Sequence, residues 1–406
     1  MKIRSITAFI DPGWPLDLSA LKDAGDFAAA ARDAFQSAGY ETQTARLATP
    51  PFPLLLPDSK TDTVRDFAQA LESAARPLGF DYIAIGPALP DCPDSYTAIP
   101  ETLAATEIIF ASGVMSSPDT GISLPAVRAC AQIMGSLTDV EPDGFANLYF
   151  AALANVGPGA PFFPAAYHQG GPPIFSLAIE SADLAVTAFT DAGSLAEARH
   201  NLITALEDHA RKLTAVSDLL ADQYSITFGG IDYSLAPFPS PDSSLGTALE
   251  RLGIPAVGVH GSLAAAAFLA DTIDRADFPR TGFSGLMLPV LEDSTLAKRA
   301  HQGTLTVKDL LMYSAVCGTG LDTVPLPGDT TVEQLTAVLL DLSALAQRLE
   351  KPLTARLMPI PGKKAGDRTD FDFAFFANSR VMALDAAPLT GHLVGDESFD
   401  LKRRPR

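Results

Sequence analysis

Residues 3–47, IRSITAFIDPGWPLDLSALKDAGDFAAAARDAFQSAGYETQTARL, set out the pattern on which the fold depends. A β-rich run from Ile3 to Ile10 is followed by an Ala-rich amphipathic run from Leu18 to Ala38, and a second β-rich run covers Thr42 to Leu47. This order is typical of a βαβ unit, in which a helix joins two parallel strands. The stretch therefore predicts an α/β protein with a parallel sheet.

The same alternation continues through the rest of the chain. Further strand candidates are Asp81 to Ile85, Glu107 to Ala111, Leu148 to Val156, Ile174 to Glu180, Ser225 to Phe228, Leu286 to Leu291 and Thr354 to Met358. Further helix candidates are Thr61 to Arg76, Leu124 to Ser136, Leu195 to Ala221, Leu263 to Ile273 and Val332 to Leu349. The pattern gives about ten strands, more than a simple doubly wound sheet needs, with no low-complexity linker or fixed repeat. We predict one large domain.

Composition limits the classes of partner. With 406 residues, 47% of them hydrophobic, the chain can bury a large core. Its formal charge of −19 repels nucleic-acid phosphates and anionic lipid surfaces. We therefore expect a small-molecule substrate, and neither a nucleic acid nor a membrane as partner. The long Ala-rich helices also allow a homo-oligomer.

Cysteine usage and the N-terminus bear on location. Cys92, Cys130 and Cys317 have no Cys-x-x-Cys spacing, which argues against a disulfide framework and a zinc knuckle. The N-terminal β-rich run reaches Asp11-Pro12-Gly13 too soon for a signal peptide. No later apolar run approaches the roughly 18 residues of a membrane span. We predict a cytoplasmic protein.

The stretch from Tyr313 to Asp329, YSAVCGTGLDTVPLPGD, combines a thiol, glycines and carboxylates at what the pattern indicates is the mouth of a strand, with Cys317 and Asp322 each beginning a loop after an apolar run. Gly318 and Gly320 would let backbone N–H groups approach a ligand, on which Cys317 or Asp322 could act. A structural turn with a buried, inert thiol is the alternative, and the segment alone does not decide between the two.

Two histidines are flanked by glycines. His168 precedes Gly170 and Gly171 on a strand-end loop and is an acid/base candidate, although a structural histidine fits equally well. His260 lies before a helix candidate, where free N–H groups allow anion binding, and a simple helix entry is the alternative.

Carboxylates follow two apolar strand candidates. Asp232, with Ser234 close behind it, and Glu292 stand where ionised groups can face a cleft, and burial can separate the pKa values of such acids for acid/base work. For Asp293, which precedes Ser294, we predict a helix N-cap instead.

Other candidates are ligand-binding residues. Arg356 and the nearby Lys363 loop can hold a carboxylate or phosphate, and Asn155 stands in a Pro- and Gly-rich loop of the kind that holds ligands at strand ends. The Lys363 loop lacks P-loop spacing. The acidic residues Asp367 and Asp370 lack EF-hand spacing, and we predict no metal and no cofactor.

Several of these residues stand in stretches that resemble one family. The stretches are Arg46 to Pro50, Pro161 to His168, Asp232 to Pro237, Pro289 to Asp293 and Cys317 to Asp329. In this order they are similar to the uncharacterised pyruvate-formate-lyase-like family (domain of unknown function 711), over nearly the whole chain. A more distant branch looks similar at His168, Asp232, Ser234, His260, Glu292, Asp293, Cys317, Asp322, Arg356 and the Gly362-Lys363 loop.

The resemblance implies a fold but not a reaction. It implies the ten-stranded α/β barrel of glycyl radical enzymes, as a single domain over residues 1–406. The radical signature Arg-Val-x-Gly-Tyr is absent, because the nearest string, Ser379 to Ala383, places Ala383 where Gly is needed. The adjacent cysteine pair of some members is also missing at Cys317. We expect no radical catalysis.

These observations favour a non-radical hydrolase or lyase. His168, Asp232, Glu292, Cys317 and Asp322 are its catalytic candidates, acting at the barrel mouth on a small hydroxylated or carboxylated metabolite. Glycoside-type hydrolysis is one form, if two carboxylates do the work. The alternative is a non-catalytic metabolite-binding or regulatory protein.

Overall fold

Eleven strands and twelve α-helices alternate along residues 1–402, the part of the chain that the computed structural model describes. The strands are β1 (Lys2–Phe9), β2 (Thr42–Ala48), β3 (Tyr82–Ala88), β4 (Ile109–Ser117), β5 (Gly121–Ser123), β6 (Phe150–Ala154), β7 (Ile174–Glu180), β8 (Thr227–Ala236), β9 (Gly320–Pro327), β10 (Leu353–Ile360) and β11 (Ser398–Phe399). The helices are α1 (Leu18–Ser37), α2 (Phe52–Leu55), α3 (Thr61–Ala75), α4 (Asp94–Ala104), α5 (Leu124–Thr138), α6 (Ala182–Thr190), α7 (Leu195–Tyr224), α8 (Leu245–Arg251), α9 (Ser262–Arg275), α10 (Ser294–Gln302), α11 (Val307–Tyr313) and α12 (Val332–Leu349). The predicted α/β class is confirmed.

All eleven strands belong to one sheet, and its main path runs β8-β7-β1-β2-β3-β4-β6-β10-β9. Strands β1, β2, β3, β4 and β6 are parallel to one another. The pairs β7–β8 and β9–β10 are also parallel, but β7 is antiparallel to β1 and β10 is antiparallel to β6. The sheet is therefore mixed rather than parallel as predicted. The carboxyl ends of β7–β10 lie at the same edge as the amino ends of β1–β4.

The two edge strands of this path, β8 and β9, do not pair with each other. The predicted strand Leu286 to Leu291 lies between them as an irregular segment, because Pro289 has no N–H to donate to a ladder. Its Met287 N–H donates to the Ser234 carbonyl of β8 at 3.1 Å, and its Val290 N–H donates to the Asp322 carbonyl of β9 at 3.1 Å. The sheet is not closed by strand pairing, so the predicted barrel is not confirmed.

A loop between β6 and β7 fills the inner face of the sheet. Phe163 packs in one apolar cluster with Phe9, Ala48 and Phe110 from β1, β2 and β4. Phe162 packs in another that includes residues of β6 and β8. Strands that are far apart in the sheet order therefore contact the same loop, which stands between them.

Helices cover the outer face of the sheet. The helix α1 buries Leu21, Phe27 and Phe35, which stand on one side of the helix, in the main core. Asp17 caps its first turn by accepting hydrogen bonds from two backbone N–H groups. Within residues 1–402 no helix combines the length and the apolar character needed to cross a membrane.

Candidate functional site

A cavity lies where the amino parts of β1, β3 and β4 and the first five residues of β2 meet the carboxyl parts of β7 and β8 and the middle of β10. The centres of water-sized molecules can occupy about 80 Å³ of it, which suits a small ligand. Its charged wall residues are Arg4, Arg46, Asp232, Glu292 and Arg356, and its aromatic wall residues are Tyr82, Phe110, Phe162, Phe163, Phe373 and Phe375. Charge is thus concentrated in a pocket whose remaining surface is largely apolar.

Glu292 joins two of the arginines. Its Oε1 accepts a hydrogen bond from Arg356 Nη2 at 2.8 Å, and its Oε2 forms an ion pair with Arg4. Arg356 Nε donates to Asp322 Oδ1 at 2.6 Å. Glu180 lies 3.4 Å from Arg4 Nη1 and extends the network. Two guanidinium groups are therefore balanced by three carboxylates.

Burial and the neighbouring charges shift the pKa values of Arg356 and Asp322. Burial acts against the Arg356 cation, but the charges of Asp322 and Glu292 prevail and raise its pKa. Burial raises the pKa of Asp322, with Arg356 opposing the shift and Glu292 adding to it. Asp322 Oδ2 is buried without a hydrogen-bond partner within the described chain. Burial thus favours the protonated form of the Asp322 carboxyl, and its ion pair with Arg356 favours the carboxylate.

Arg46, in β2, differs from the other two arginines of the cavity. Its Nε donates to Thr44 Oγ1 at 2.9 Å, and its guanidinium lies over the rings of Tyr82 and Phe163, 5.4 and 5.1 Å from their centroids. Only 9% of the residue is exposed, and no carboxylate within residues 1–402 forms an ion pair with it. Burial and the charge of Arg4 lower the pKa of Arg46 to about 9, so it remains a cation at neutral pH.

Asp232 and Ser234 stand on the same face of β8, because alternate residues of a strand point the same way. Ser234 Oγ donates to Asp232 Oδ1 at 2.5 Å, and the N–H groups of Phe283 and Ser284 donate to the same carboxylate at 3.0 Å each. Burial raises the pKa of Asp232, and these hydrogen bonds oppose the shift. The pair can accept and return a proton at the cavity wall.

The structure brings together five of the residues predicted from the sequence. Asp232, Ser234, Glu292 and Arg356 line the cavity, and Asp322 lies directly behind Arg356. Asp293, predicted to be a helix cap, caps α10 through the N–H groups of Thr295 and Leu296.

His168 is not brought to this cavity. Its backbone N–H donates to the Thr49 carbonyl, just beyond the carboxyl end of β2, whereas the cavity lies at the amino half of that strand. The ring is buried, and neither nitrogen makes a well-formed hydrogen bond within residues 1–402. Burial lowers the pKa of His168, and the nearby Pro172 carbonyl opposes this shift.

The stretch around Cys317 packs closely against neighbouring backbone. Cys317 is buried before the amino end of β9, and its carbonyl accepts a hydrogen bond from Lys351 Nζ. Gly318 packs against the backbone of Gly285, and its N–H donates to the Leu286 carbonyl at 3.0 Å. A side chain on Gly320 would approach the Thr354 carbonyl to 2.4 Å. Neither glycine lines the cavity, although the sequence analysis named both as ligand-binding candidates.

Three predicted ligand-binding residues also lie elsewhere. Asn155 accepts a hydrogen bond from Gln347 Nε2 at 2.8 Å, beyond the carboxyl end of β6. His260 is exposed in the loop before α9. Lys363 pairs with Asp370 at 3.2 Å, in a loop after β10.

Sequence reasoning missed Arg4, Arg46, Phe373 and Phe375 as cavity residues. A signal for the two arginines was present, because each stands inside a strand whose other residues are mostly buried, where an arginine is rare unless it is paired or functional. The phenylalanines follow the last long strand in an irregular segment. No local pattern could place Phe375 beneath Arg4, or Phe373 beside Phe375 in the cavity wall.

The donor set fits anion binding and proton transfer better than metal binding. Within residues 1–402 no group of three or more His, Cys, Asp or Glu side chains is arranged to hold a metal ion. Three guanidinium groups face a small apolar space, with the Asp232–Ser234 pair beside them. Such a site can hold a small anion and move a proton on it.

Comparison with known proteins gives one consistent result. The family described as "Uncharacterised ACR (DUF711)" matches residues 1–378. A UPF0210 protein of Pyrobaculum islandicum is 32% identical over 364 residues, which cover 86% of this chain and 79% of the relative. A UPF0210 protein of Pyrobaculum aerophilum is 33% identical, covering 82% and 76%, and one of Neisseria meningitidis is 28% identical, covering 85% and 80%.

Proposed function

The chain belongs to the DUF711 (UPF0210) family, and from the chemistry of its cavity we propose that it is a non-radical hydrolase or lyase acting on a small hydroxylated or carboxylated metabolite. The observation that carries the proposal is the Asp232–Ser234 hydrogen bond of 2.5 Å at the cavity wall. Asp232 is the acid/base group, because burial makes its carboxylate a better proton acceptor than an exposed one. Ser234 delivers or receives the proton.

The arginines supply the electrostatic part of this proposal. Arg356, beside Glu292, and Arg46 face the same space as Asp232. Negative charge that develops on a reacting oxygen would be stabilised by these fixed cations without reorganisation of water. Asp322, behind Arg356, raises the pKa of that guanidinium and holds it in place, so its role in the proposal is to position Arg356. His168 and Cys317 take no part in this form of the proposal, because neither lines the cavity.

We extend the proposal to the fold and its relatives. The segment Leu286–Val290 completes a ten-stranded barrel by bridging β8 and β9, with two groups of five strands running in opposite directions. This arrangement supports the relationship to pyruvate-formate-lyase-like proteins. With Ala383 at the position of the radical glycine, activity needs neither an activating enzyme nor the exclusion of air.

A non-catalytic metabolite-binding protein is the second candidate. It is favoured by the state of Glu292, whose two carboxylate oxygens are both bonded to arginines and are not free to react. The same feature counts against glycoside-type hydrolysis, which needs two available carboxyl groups. Exposed Leu195 and Leu219 on α7 support a homo-oligomer in either case.

The first experiment is a metabolite-library screen by thermal shift, followed by turnover assays of each binder in air. A ligand at 100 times its Kd stabilises the native state by about 2.7 kcal/mol. Asp232→Asn should lower turnover by roughly 10²–10⁴-fold, as expected for loss of an acid/base group, while leaving binding in place. His168→Ala, outside the cavity, serves as the comparison. Binding without turnover under any pH or metal condition would favour the binding-protein candidate.

A further inference from the structure

Arg46 is a buried cation that forms no ion pair with a carboxylate of residues 1–402. The guanidinium groups of Arg4 and Arg356 are bonded to Glu180, Glu292 and Asp322, which leaves Arg46 as the cavity cation without an ion-pair partner within the described residues. Its Nε donates a hydrogen bond to Thr44 Oγ1, while its Nη1 and Nη2 form no hydrogen bond within residues 1–402. Buried charges in proteins are normally paired because an unpaired one is costly, so a ligand anion is the partner that this guanidinium lacks.

The number of charges around Arg46 limits the charge of that ligand. A single free guanidinium binds one carboxylate in a two-pronged manner. A second negative charge on the ligand would lie near the carboxylates of Asp232 and Glu292 without a further free cation to offset it. A monoanion is therefore preferred over a dicarboxylate or a phosphate monoester.

The remaining wall limits the body of the ligand. Six aromatic rings line the cavity, and two of them, Tyr82 and Phe163, already hold the Arg46 guanidinium between them. Arg4 and Arg356 lie over Phe375 and Phe162 in the same way, at 5.3 and 5.6 Å. Flat rings favour a flat apolar partner, whereas a sugar needs many free donors and acceptors.

We infer that the cavity binds a small monocarboxylate with a planar apolar body, whose carboxylate pairs with Arg46. This inference rests on the proposed function only in placing the substrate in this cavity, and it names the class of that substrate. It assigns Arg46 the specificity-determining contact, which neither the family match nor the relatives describe.

The test compares matched probes by calorimetric or NMR titration at pH 7.5. Benzoate and phenylacetate carry the carboxylate, and benzamide and phenylacetamide have the same shape without the charge. We expect each carboxylate to bind about 10-fold or more tightly than its amide, the effect of one charge-assisted contact. Succinate and inorganic phosphate should bind more weakly than benzoate.

Variants identify the contact. Arg46→Met keeps much of the side-chain volume and should weaken benzoate binding by roughly 10–100-fold, without a comparable loss for benzamide. Arg46→Lys should lose an intermediate amount of benzoate affinity, because lysine keeps the positive charge but cannot donate two parallel hydrogen bonds to a carboxylate. Arg211→Met, which removes an exposed arginine of α7, is the control and should bind benzoate as the wild type does. Circular dichroism verifies that each variant is folded.

Three outcomes of these titrations overturn the inference. They are equal affinity for acid and amide, undiminished benzoate binding by Arg46→Met, and failure of both aromatic acids to bind the wild type. If Arg46→Met does not fold, the acid and amide pairs on the wild type still decide the matter. A neutral or dianionic library ligand that is turned over would sink the inference and leave the proposed function standing.

Discussion

Arg356 has two buried acidic partners, and its removal takes from Asp322 its ion-pair partner and leaves Glu292 paired with Arg4 alone. Its Nε and Nη2 bind Asp322 and Glu292, and all three residues are at most 5% exposed. A buried ion pair gains little over an apolar replacement of both partners, but breaking it leaves an unpaired charge in a medium that solvates it poorly. The three residues Arg356, Asp322 and Glu292 therefore hold the cavity wall in one arrangement and add little net stability to the fold.

We predict that Arg356→Met lowers the free energy of unfolding by about 3–5 kcal/mol, because it leaves the buried Asp322 carboxylate without its ion-pair partner and removes one of the two arginines bonded to Glu292. Urea unfolding monitored by circular dichroism measures the change. Lys308→Met removes a cation from an exposed pair with Asp385 and should leave the midpoint unchanged. A loss for Arg356→Met no larger than for Lys308→Met would show that the cavity charges are solvated.

Asp232 should give the protein a recognisable dependence of stability on pH. Burial raises its pKa in the folded state above the unfolded value. The native state then holds a proton that the unfolded state has released, so this residue contributes stability that is fully present below the unfolded pKa. That contribution is lost as pH rises through the raised folded value.

We predict that stability declines with rising pH above the ordinary Asp range more steeply in the wild type than in Asp232→Asn. Thermal unfolding between pH 4 and pH 8 provides the two slopes. The slope is the readout because the amide also disturbs the hydrogen bond from the Phe283 N–H and so lowers stability at every pH. Identical slopes would mean that the pKa of Asp232 is the same in both states.

At the scale of elements, the contact between β9 and β10 depends on a glycine. Gly320 opens β9 with a φ of +99°, and a Cβ there would lie 2.4 Å from the Thr354 carbonyl of β10. Gly253, after α8, has a φ of +107° but open space around it. The two positions therefore share the backbone conformation and differ in crowding.

We predict that Gly320→Ala costs at least about 2 kcal/mol of unfolding free energy, because left-handed strain adds to a clash with a strand backbone. Gly253→Ala is the matched control and should cost only the strain, about 1–2 kcal/mol. Chemical denaturation compares them. Equal costs would indicate that β10 moves away easily and that the pairing of these strands is loose.

At the scale of the whole molecule, the irregular segment Leu286–Val290 lies between β8 and β9 and decides whether the sheet is closed. The N–H groups of Met287 and Val290 reach one strand each, and both residues are buried. If the segment completes a barrel, these two amides are as protected as amides inside a strand.

We predict slow hydrogen exchange at Met287 and Val290, comparable with that of β8 and β9, measured by mass spectrometry or NMR. The amide of Gly253 lies in an exposed turn and should exchange rapidly as an internal control. Exchange at Met287 and Val290 as fast as at Gly253 would leave the sheet open and remove the barrel from the proposal.

The sequence by itself determined the local structure and the charge. Its periodicities gave the α/β class, and Ile174–Glu180 and Val332–Leu349 have the predicted ends as a strand and a helix. Asp232 and Glu292 were also predicted to face a cleft, because acids that follow apolar runs must face solvent or a cleft, and both line the cavity. These properties depend on neighbours within a few residues, and one sequence records them directly.

Only the tertiary structure decided which strand ends meet. Two antiparallel junctions, β7 with β1 and β10 with β6, place the amino half of β2 beside the carboxyl half of β8. They place Arg46 and Asp232 in the wall of one cavity and leave His168 beyond the carboxyl end of β2. Strand order and direction are set by packing between segments hundreds of residues apart, and local propensity and periodicity do not encode them.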